Sequence, residues 1–404
     1  MSTSLLYHAF GVRGYQYVRQ SFGKDGIEFT IEQDRSELRC SACGSSEVQP
    51  KGRIPREFKT LPIGGKPVSL AFEVPRVECR ECGCRRQVKL GFADPRVSYT
   101  RAFARYALEL SRHMTIQDVA DHLLVSWDVI KEIQRADLQR RFARPKLKKV
   151  RQIAIDEISV GKGHRYMTLV LDLESGAVLF VGDGKGADAL LPFWRRLRAS
   201  GAKIRAVATD MSLAYIAAVS DNLKGALHVF DHFHIIKLYN EKLTDLRRAL
   251  YREVTDLMHK KILKGTLWLL LKNPENLDPK KNEQARLDEA LEINAPLFVA
   301  YYMKEQLRQL WSQENKRTAR SFLNDWIALA QRSGIRMLMN FAKTLTVYRE
   351  GILNYYDYRI STGPLEGTNN KIKTMKRQAY GFRDHAFFKL KIMGIHETRY
   401  ELVG

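Results

Sequence analysis

Apolar positions change their period several times along the chain. Between residues 98 and 135 they recur every three to four places. Phe103, Ala107 and Leu110 mark one helix, and Ile116, Val119, Leu123, Val129, Ile130 and Ile133 trace a stripe across two more. Thr115, with Asp118 three residues on, reads as the N-cap of the first of that pair. Ala120 permits close helix approach, and Ser126 caps the second, Trp127–Arg135. From Gln152 the spacing becomes that of strands. Runs at Ile153–Ile155, Tyr166–Asp172 and Ala177–Val181, with turns at Gly161–Gly163 and Ser175-Gly176, predict a meander. An amphipathic helix over Ala187–Ala199 follows, then a buried strand Ile204–Asp210, a helix Ser212–Val219 and a strand Leu227–His234. Helical spacing returns through Ile236–Tyr251, Leu257–Leu271, Leu287–Leu291, Val299–Trp311, Thr318–Ala330 and Gly334–Thr346, with a Pro/Asn break at Asn273–Lys281. Turn chemistry resumes at Tyr358–Pro364. There Thr362 or Gly363 can cap a last helix, Pro364 fits its first position and Glu366 falls in its first turn.

Ahead of the helices, the chain is organised by sulfur. All five cysteines lie between Cys40 and Cys84. Cys40-Ser-Ala-Cys43 and Cys79-Arg-Glu-Cys82 are each followed by a glycine, Gly44 and Gly83. Two such pairs resemble the knuckles of a zinc ribbon, in which four thiolates close a tetrahedral site for one structural Zn²⁺. Thr60–Leu61, Val68–Val74 and Val77 supply strands between the pairs. Cys84 is a fifth sulfur that could replace Cys82, at poorer spacing. The bland alternative is a set of unliganded thiols in a reducing compartment.

Composition then narrows the partners. At 404 residues, 45% hydrophobic and 10% aromatic, the chain has the material for several full-sized cores. Lys+Arg 67 against Asp+Glu 45 leaves a net charge of +22, which on a folded chain favours a polyanion, nucleic acid before membrane surface. No apolar run approaches the roughly 20 residues of a membrane span, and the N-terminal stretch lacks the order of a signal peptide, so a cytoplasmic, DNA-associated location is expected. The helix pair at 115–135 resembles a helix-turn-helix with Trp127 to Arg135 as its recognition helix. Behind it come Lys131, Arg135, Arg140, Arg141, Arg144, Lys146, Lys148, Lys149 and Arg151 against only Glu132 and Asp137, a run suited to gripping phosphates.

In so basic a chain the isolated acids stand out. Asp156 and Glu157 end the first strand of the meander. Strand alternation sends them to opposite faces, so one is a site candidate and the other a solvated neighbour; Asp156 is taken as the candidate and Glu157 as the outward neighbour, with Glu157 as its rival. Asp210 ends a second strand. Asp231, His232 and His234 tip a third and are second-tier candidates, with a capped helix start as the plain alternative. In the last helix Glu366, Asn369, Asn370, Lys373 and Arg377 share one face, an acid among amides and cations suited to a metal ligand beside phosphate contacts. Basic residues continue from Lys371 to Arg399, with Tyr380, Phe382, Phe387 and Phe388 between them, read as core before base stacking. Three strands in a meander, then helix, strand, helix, strand, resemble an α/β ribonuclease H-like core, here carrying an all-α insertion. Phosphodiester chemistry on two Mg²⁺ or Mn²⁺ ions held by carboxylates suits Asp156, Asp210 and Glu366.

Taken together, the ribbon, the helix-turn-helix and the blocks IDEISVGKGHRYMTLVLDLESG, ATDMSLAYIAAV, FDHFHIIKLYN and GPLEGTNNKIKTMKRQAYGFRD resemble bacterial insertion-sequence transposases of the ISL-three family, across essentially the whole chain. The resemblance implies a DDE transposase with Asp156, Asp210 and Glu366 as its metal-binding triad. Such an enzyme binds the element's terminal inverted repeats, nicks the ends and joins the 3′-hydroxyl to target DNA, acting as a homodimer or higher oligomer. The implied organisation is a zinc ribbon over 1–95, a helix-turn-helix over 96–149, a ribonuclease H-like core over 150–235 and 350–404, and a helical insertion over 236–349. A non-catalytic DNA-binding regulator explains the charge and the N-terminal motifs but leaves the three acids without a purpose.

Overall fold

The computed structural model describes residues 5–397 except 25, 162 and 164. Arg399 and residue 162 of the first hairpin turn, both part of the sequence reading, therefore lie outside the described residues. The chain falls into two compact units, Met1–Arg140 and Arg141–Gly404.

The first unit opens with α1 (Leu5–Phe10) and a hairpin of β1 (Gln16–Gly23) and β2 (Gly26–Glu32). A long hairpin follows, β3 (Val48–Ile63) and β4 (Lys66–Cys79), and then β5 (Arg85–Gln87). The sheet runs β1-β2-β4-β3, with β5 on β4 and the β2–β4 pair parallel. Gly64 and Gly65, both at positive φ, make the tight turn that joins the long strands. The expected strands at Thr60–Leu61, Val68–Val74 and Val77 fall inside this hairpin, but its length and the N-terminal β1–β2 pair were not expected. The reason is visible in β3: from Gln49 to Glu57 it is almost wholly exposed, so it carries no buried alternation for the sequence to display. Phe58, Leu70, Phe72 and Phe92 fill the core beneath.

Three helices complete the unit: α2 (Arg101–Leu110), α3 (Ile116–His122) and α4 (Trp127–Phe142). Thr115 and Asp118 form the expected capping box, each side chain bonding the other's backbone. Phe103, Ala107, Val119, Ala120, Leu123, Ile130 and Ile133 make the core, while Ile116 and Val129 lie at its half-buried margin.

In the second unit, β6 (Gln152–Gly161), β7 (Arg165–Asp172) and β8 (Val178–Asp183) form the antiparallel meander. After α5 (Leu191–Ser200), β9 (Ala206–Thr209) adds parallel to β6. After α6 (Leu213–Asn222), β10 (Leu227–Phe230) adds parallel to β9, giving the order β10-β9-β6-β7-β8. Ile153, Ile155, Val170, Leu179 and Val207 on the sheet pack with Phe193 and Trp194 of α5 and Tyr215 and Val219 of α6. Leu147 and Val150, alternating with exposed Lys146, Lys148 and Lys149, plug the incoming segment into the same core.

The expected strand Leu227–His234 is shorter: β10 stops at Phe230, and His232 and His234 belong to the first turn of α7 (His232–Glu253), with Asp231 as its N-cap. The side chain of Asp231 accepts from the Phe233 amide, so the backbone turns helical there. Next come α8 (Leu257–Gly265) and α9 (Leu267–Leu271), separate helices where one was expected, then α10 (Glu283–Glu292), α11 (Ala295–Arg308), α12 (Lys316–Arg332), α13 (Arg336–Val347) and α14 (Arg349–Leu353). They enclose a core of their own that includes Tyr239, Leu243, Leu307, Trp326 and Phe341. Gly351 of α14 seals this bundle to the sheet end, since a Cβ there would sit 2.3 Å from the Phe230 ring. The chain closes with α15 (Gly363–Gln378) and α16 (His385–Met393). Thr362 does sit at the N-cap of α15, but its side chain makes no cap bond and is used elsewhere.

Candidate functional site

Each unit holds one cluster of ligand-type side chains, and each exposes basic groups of its own. In the first unit, Cys40, Cys43, Cys79 and Cys82 bring their sulfurs within 4.8 Å of one another. Each knuckle is closed locally: Gly44 N donates to Cys40 O at 2.9 Å and Gly83 N to Cys79 O at 3.0 Å, with both glycines at positive φ. The long β3–β4 hairpin carries the second knuckle back to the first. Backbone amides of Cys43 and Ala42 hold the Cys40 thiol down to about 6, the thiolate form a metal needs. Four soft donors so disposed fit a structural Zn²⁺ with no open position. Cys84 lies outside the group, and its carbonyl accepts from Cys79 N at 3.0 Å.

In the second unit, strand register aligns the acids. Ala154 stands opposite Ala208 in the parallel β6–β9 pair, an offset of 54 (208 − 154) that Asp156 and Asp210 repeat (210 − 156). The two carboxylates therefore stand at the same level and on the same side: Asp210 directly follows β9, whereas Asp156, expected at a strand end, lies inside β6, two residues past its last pair with β9, because β6 runs on to Gly161 against β7. Asp231 follows by the same rule, since Phe230 pairs with Thr209 and Asp231 N donates to Thr209 O at 3.1 Å. Loops at the carboxyl ends of parallel strands are where α/β sheets place ligands. Burial, with the Asp210 charge adding to it, pushes the Asp156 carboxyl up, while a hydrogen bond from the Glu157 backbone, the nearby His234 and a hydrogen bond from Asn369 Nδ2 to Asp156 Oδ2 at 2.9 Å draw it down. Two half-buried carboxylates in like-charge contact, made only of hard oxygen donors, fit a divalent cation, which relieves the repulsion. Glu366 lies on the exposed face of α15, one turn before Asn369. Its oxygens are not gathered within 4.8 Å of both aspartates, as the four sulfurs are with one another.

The second-tier group divides. Asp231 is 2% exposed and wholly engaged, its Oδ1 accepting from Phe233 N and its Oδ2 from the amide and hydroxyl of Thr362. It thus ties the start of α7 to the start of α15 across 131 residues. His232 turns away, its ring 5.6 Å from Trp311 and its Nδ1 3.2 Å from Asp231 Oδ1. Only His234 faces Asp156.

Glu157 corrects the expectation of a solvated neighbour. Its Oε1 accepts from Tyr215 OH at 2.7 Å and from Gly186 N at 3.1 Å, and Tyr215 OH also meets Thr168 Oγ1 at 3.3 Å. Burial drives the Tyr215 phenol upward, so it stays a donor. Behind Asp210, half-buried His228 is lowered to about 4 by desolvation and shares a 2.7 Å bond with Thr209 Oγ1, as a neutral ring. The sequence reading singled out neither Tyr215 nor His228. Their only signal was a polar ring within a few residues of an aligned acid, and isolated positions of that kind are common in ordinary cores.

The DNA-contact candidates also sort. On α4, Trp127 is 41% exposed with Lys131 Nζ 5.0 Å over its ring, while Arg135 pairs with Glu132 and Arg140 with Asp137. Arg141 is engaged by Glu397 and covers the Phe142 ring. Lys146, Lys148 and Lys149 face solvent, as do Asn370, Lys373 and Arg377 on the outer face of α15. Asn369 does not: it is 8% exposed, facing Asp156, because it sits on the inner side of the helix with Leu365 and Ile372. Phe387 and Phe388 are buried, with Phe382 stacked on Phe388 at 4.5 Å, as core; Tyr380 alone of that group stands in solvent.

A soft thiolate site, a helix-turn-helix and an acidic site beside the carboxyl end of a parallel strand pair define the class: a DNA-binding protein with the apparatus of a DNA-cutting and -joining enzyme. Comparison with known proteins agrees. Residues 153–392 match a family model described as transposase, of the DDE type in ISL3 elements. Residues 88–136 match the helix-turn-helix domain of transposase family ISL3, and residues 36–82 the zinc-finger of transposase IS204/IS1001/IS1096/IS1165. The transposase for insertion sequence element IS1001 of Bordetella parapertussis is 32% identical over 95% of each chain. That for IS1557 of Mycobacterium tuberculosis is 28% identical over 91% of this chain and 87% of its own. Among solved structures, the Drosophila P element transposase strand transfer complex aligns with 76% of this chain and 94% of that one, at 13% identity and a TM-score of 0.40, too loose a likeness to argue from. The chain belongs to the ISL3 (ISL-three) family of DDE transposases. Membership implies a metal-dependent enzyme that cuts and joins DNA, with a helix-turn-helix for binding it and a zinc ribbon built on a structural Zn²⁺ site. Among the described residues no helix is long and apolar enough to cross a membrane.

Proposed function

We propose that this transposase binds the terminal inverted repeats of its insertion sequence, nicks the DNA at each end and joins the freed 3′-hydroxyl to target DNA. The carrying observation is the shared register of Asp156 and Asp210 on the adjacent parallel strands β6 and β9, just past their last paired residues. We read the order β10-β9-β6-β7-β8, a meander extended by two parallel strands, as a ribonuclease H-like core. On that reading Asp156, Asp210 and Glu366 hold two Mg²⁺ or Mn²⁺ ions, which supply activation of the attacking oxygen and stabilisation of the leaving one. The chain's own residues do the rest. Asp156 and Asp210 are preorganised by the sheet, Glu366 joins from α15 as ions and DNA enter, and His234 keeps Asp156 nearer its ionised form. Trp127, Lys131, Arg135 and Arg140 on α4, the exposed Lys146, Lys148 and Lys149, and Asn370, Lys373 and Arg377 hold the DNA backbone. Two ends must react together, so the working species is a dimer or larger assembly, acting in the bacterial cytoplasm.

The test is cleavage of a duplex bearing the element's inverted repeat. With Mg²⁺ or Mn²⁺ the protein nicks it, and Asp210→Ala loses nicking by at least about 10³-fold while binding persists. Joining of the cut end to a second duplex separates a transposase from a plain nuclease. Duplex left intact under either metal would refute the proposal and favour a DNA-binding regulator.

A further inference from the structure

We propose that Asn369 is a positioning residue of the acidic metal site: its amide nitrogen fixes Asp156, and its carbonyl oxygen is a spare hard donor for the ion. This rests on the reading of Asp156 and Asp210 as metal ligands.

Three observations carry it. Asn369 is 8% exposed on the inner side of α15, so it cannot reach a phosphate as Asn370, Lys373 and Arg377 can. Its Nδ2 donates to Asp156 Oδ2 at 2.9 Å, a bond spanning 213 residues that fixes the orientation of the carboxylate. Its Oδ1, on the same carbon as that nitrogen, is buried without a hydrogen-bond partner. A buried carbonyl left unpaired is costly, and an ion held by Asp156 is a partner its chemistry fits. The helix that presents it is anchored on both sides. Thr362 is bonded to Asp231, and Thr368 Oγ1 bonds His396 Nε2 at 2.9 Å and Pro364 O at 2.8 Å. Asn369 therefore meets Asp156 from a fixed platform, as an outer partner of a metal ligand must.

The experiment is Mn²⁺ binding to the zinc-loaded full chain, followed by electron paramagnetic resonance, alongside DNA binding without added divalent metal and thermal melting. Asn369→Ala is expected to lose about 10-fold or more in Mn²⁺ affinity, with DNA affinity unchanged. Asn369→Asp, which cannot donate to Asp156 but offers a carboxylate to the ion, is expected to keep Mn²⁺ binding and to show a larger Mn²⁺-induced rise in melting temperature than the wild type. Unchanged Mn²⁺ affinity in Asn369→Ala overturns the inference, whether DNA affinity falls, as for a DNA contact, or holds, as for helix packing alone. Should Asn369→Ala not fold, Asn369→Ser is judged by the same standard. Asp210→Asn serves as the reference. If it retains Mn²⁺ binding, the acidic-site reading itself fails; if it loses binding while Asn369→Ala does not, only the role of Asn369 fails.

Discussion

The cysteine cluster and the acidic cluster reach similar ends by different routes. Each cysteine pair spans four residues, its glycine closes the knuckle, and one hairpin brings the pairs together. The acidic cluster draws Asp156 from β6, Asp210 from β9, His234 from α7 and Asn369 from α15, with a helical bundle inserted before the last. Soft thiolates with amide support can be preorganised locally. Like-charged carboxylates repel, so they come together only where a sheet and anchored helices hold them. The difference teaches which site tolerates distant change: the ribbon depends on its own letters, the acidic site on remote staples.

The sharpest break is Cys79→Ser. Removing one of four ligands from a site whose zinc contributes on the order of 10 kcal/mol should abolish zinc binding and unfold the ribbon, read by zinc content and limited proteolysis. Mn²⁺ binding at the acidic cluster should be unaffected, and its loss would contradict the independence of the two sites. Next is Asp231→Ala, far in sequence from the acids' last helix. It strands the buried Thr362 amide and hydroxyl and uncaps α7, costing about 2–4 kcal/mol in chemical denaturation, and it should weaken Mn²⁺ binding as well. Normal Mn²⁺ affinity in a destabilised variant would show that the staple serves stability alone.

A smaller effect concerns pH. Burial, with the Asp210 charge beside it, raises the Asp156 carboxyl, so the metal-free folded protein holds that proton more tightly than the unfolded chain. Stability is therefore lost as pH rises from the ordinary carboxylate value through the raised one. Asp156→Asn should melt higher than the wild type at neutral pH without divalent metal, the gap closing as the buffer is acidified below that window. A gap independent of pH would mean that charge is not its cause. Least of all is Tyr215→Phe, which removes one donor to Glu157 but leaves the Gly186 amide in place, at about 1 kcal/mol. DNA nicking in that variant should fall far less than in Asp156→Asn, separating the two neighbouring acids by role.

Sequence and structure agree wherever the signal is local. Cys40, Cys43, Cys79 and Cys82 were legible from spacing and the Thr115–Asp118 box from its letters, while Asp156 and Asp210, noticed as acids ending apolar runs, do fall on adjacent strands in one register, though β6 runs on past Asp156. The exposed half of β3 was not, because a strand without a buried face has no alternation to read. For His232 and His234 the strand tip and the capped helix start stood as alternatives, because Asp231 looks equally apt as either, and the structure takes the helix cap. Glu157 and Asn369 were assigned to solvent and to DNA because pattern reasoning knows which face a residue shares but not what meets that face.

By itself, then, the sequence determined the order of ribbon, helix-turn-helix and catalytic-type domain, the four sulfurs and the acids worth watching. Those rest on short-range spacing, and knuckles, caps and strand runs form within a few residues of one another. Only the tertiary structure decided that Asp231 is a staple, that Glu157 answers to Tyr215, and that Asn369 turns inward to Asp156. These contacts cross 58 to 213 residues, and their partners are chosen by strand register and helix docking, which no local pattern encodes.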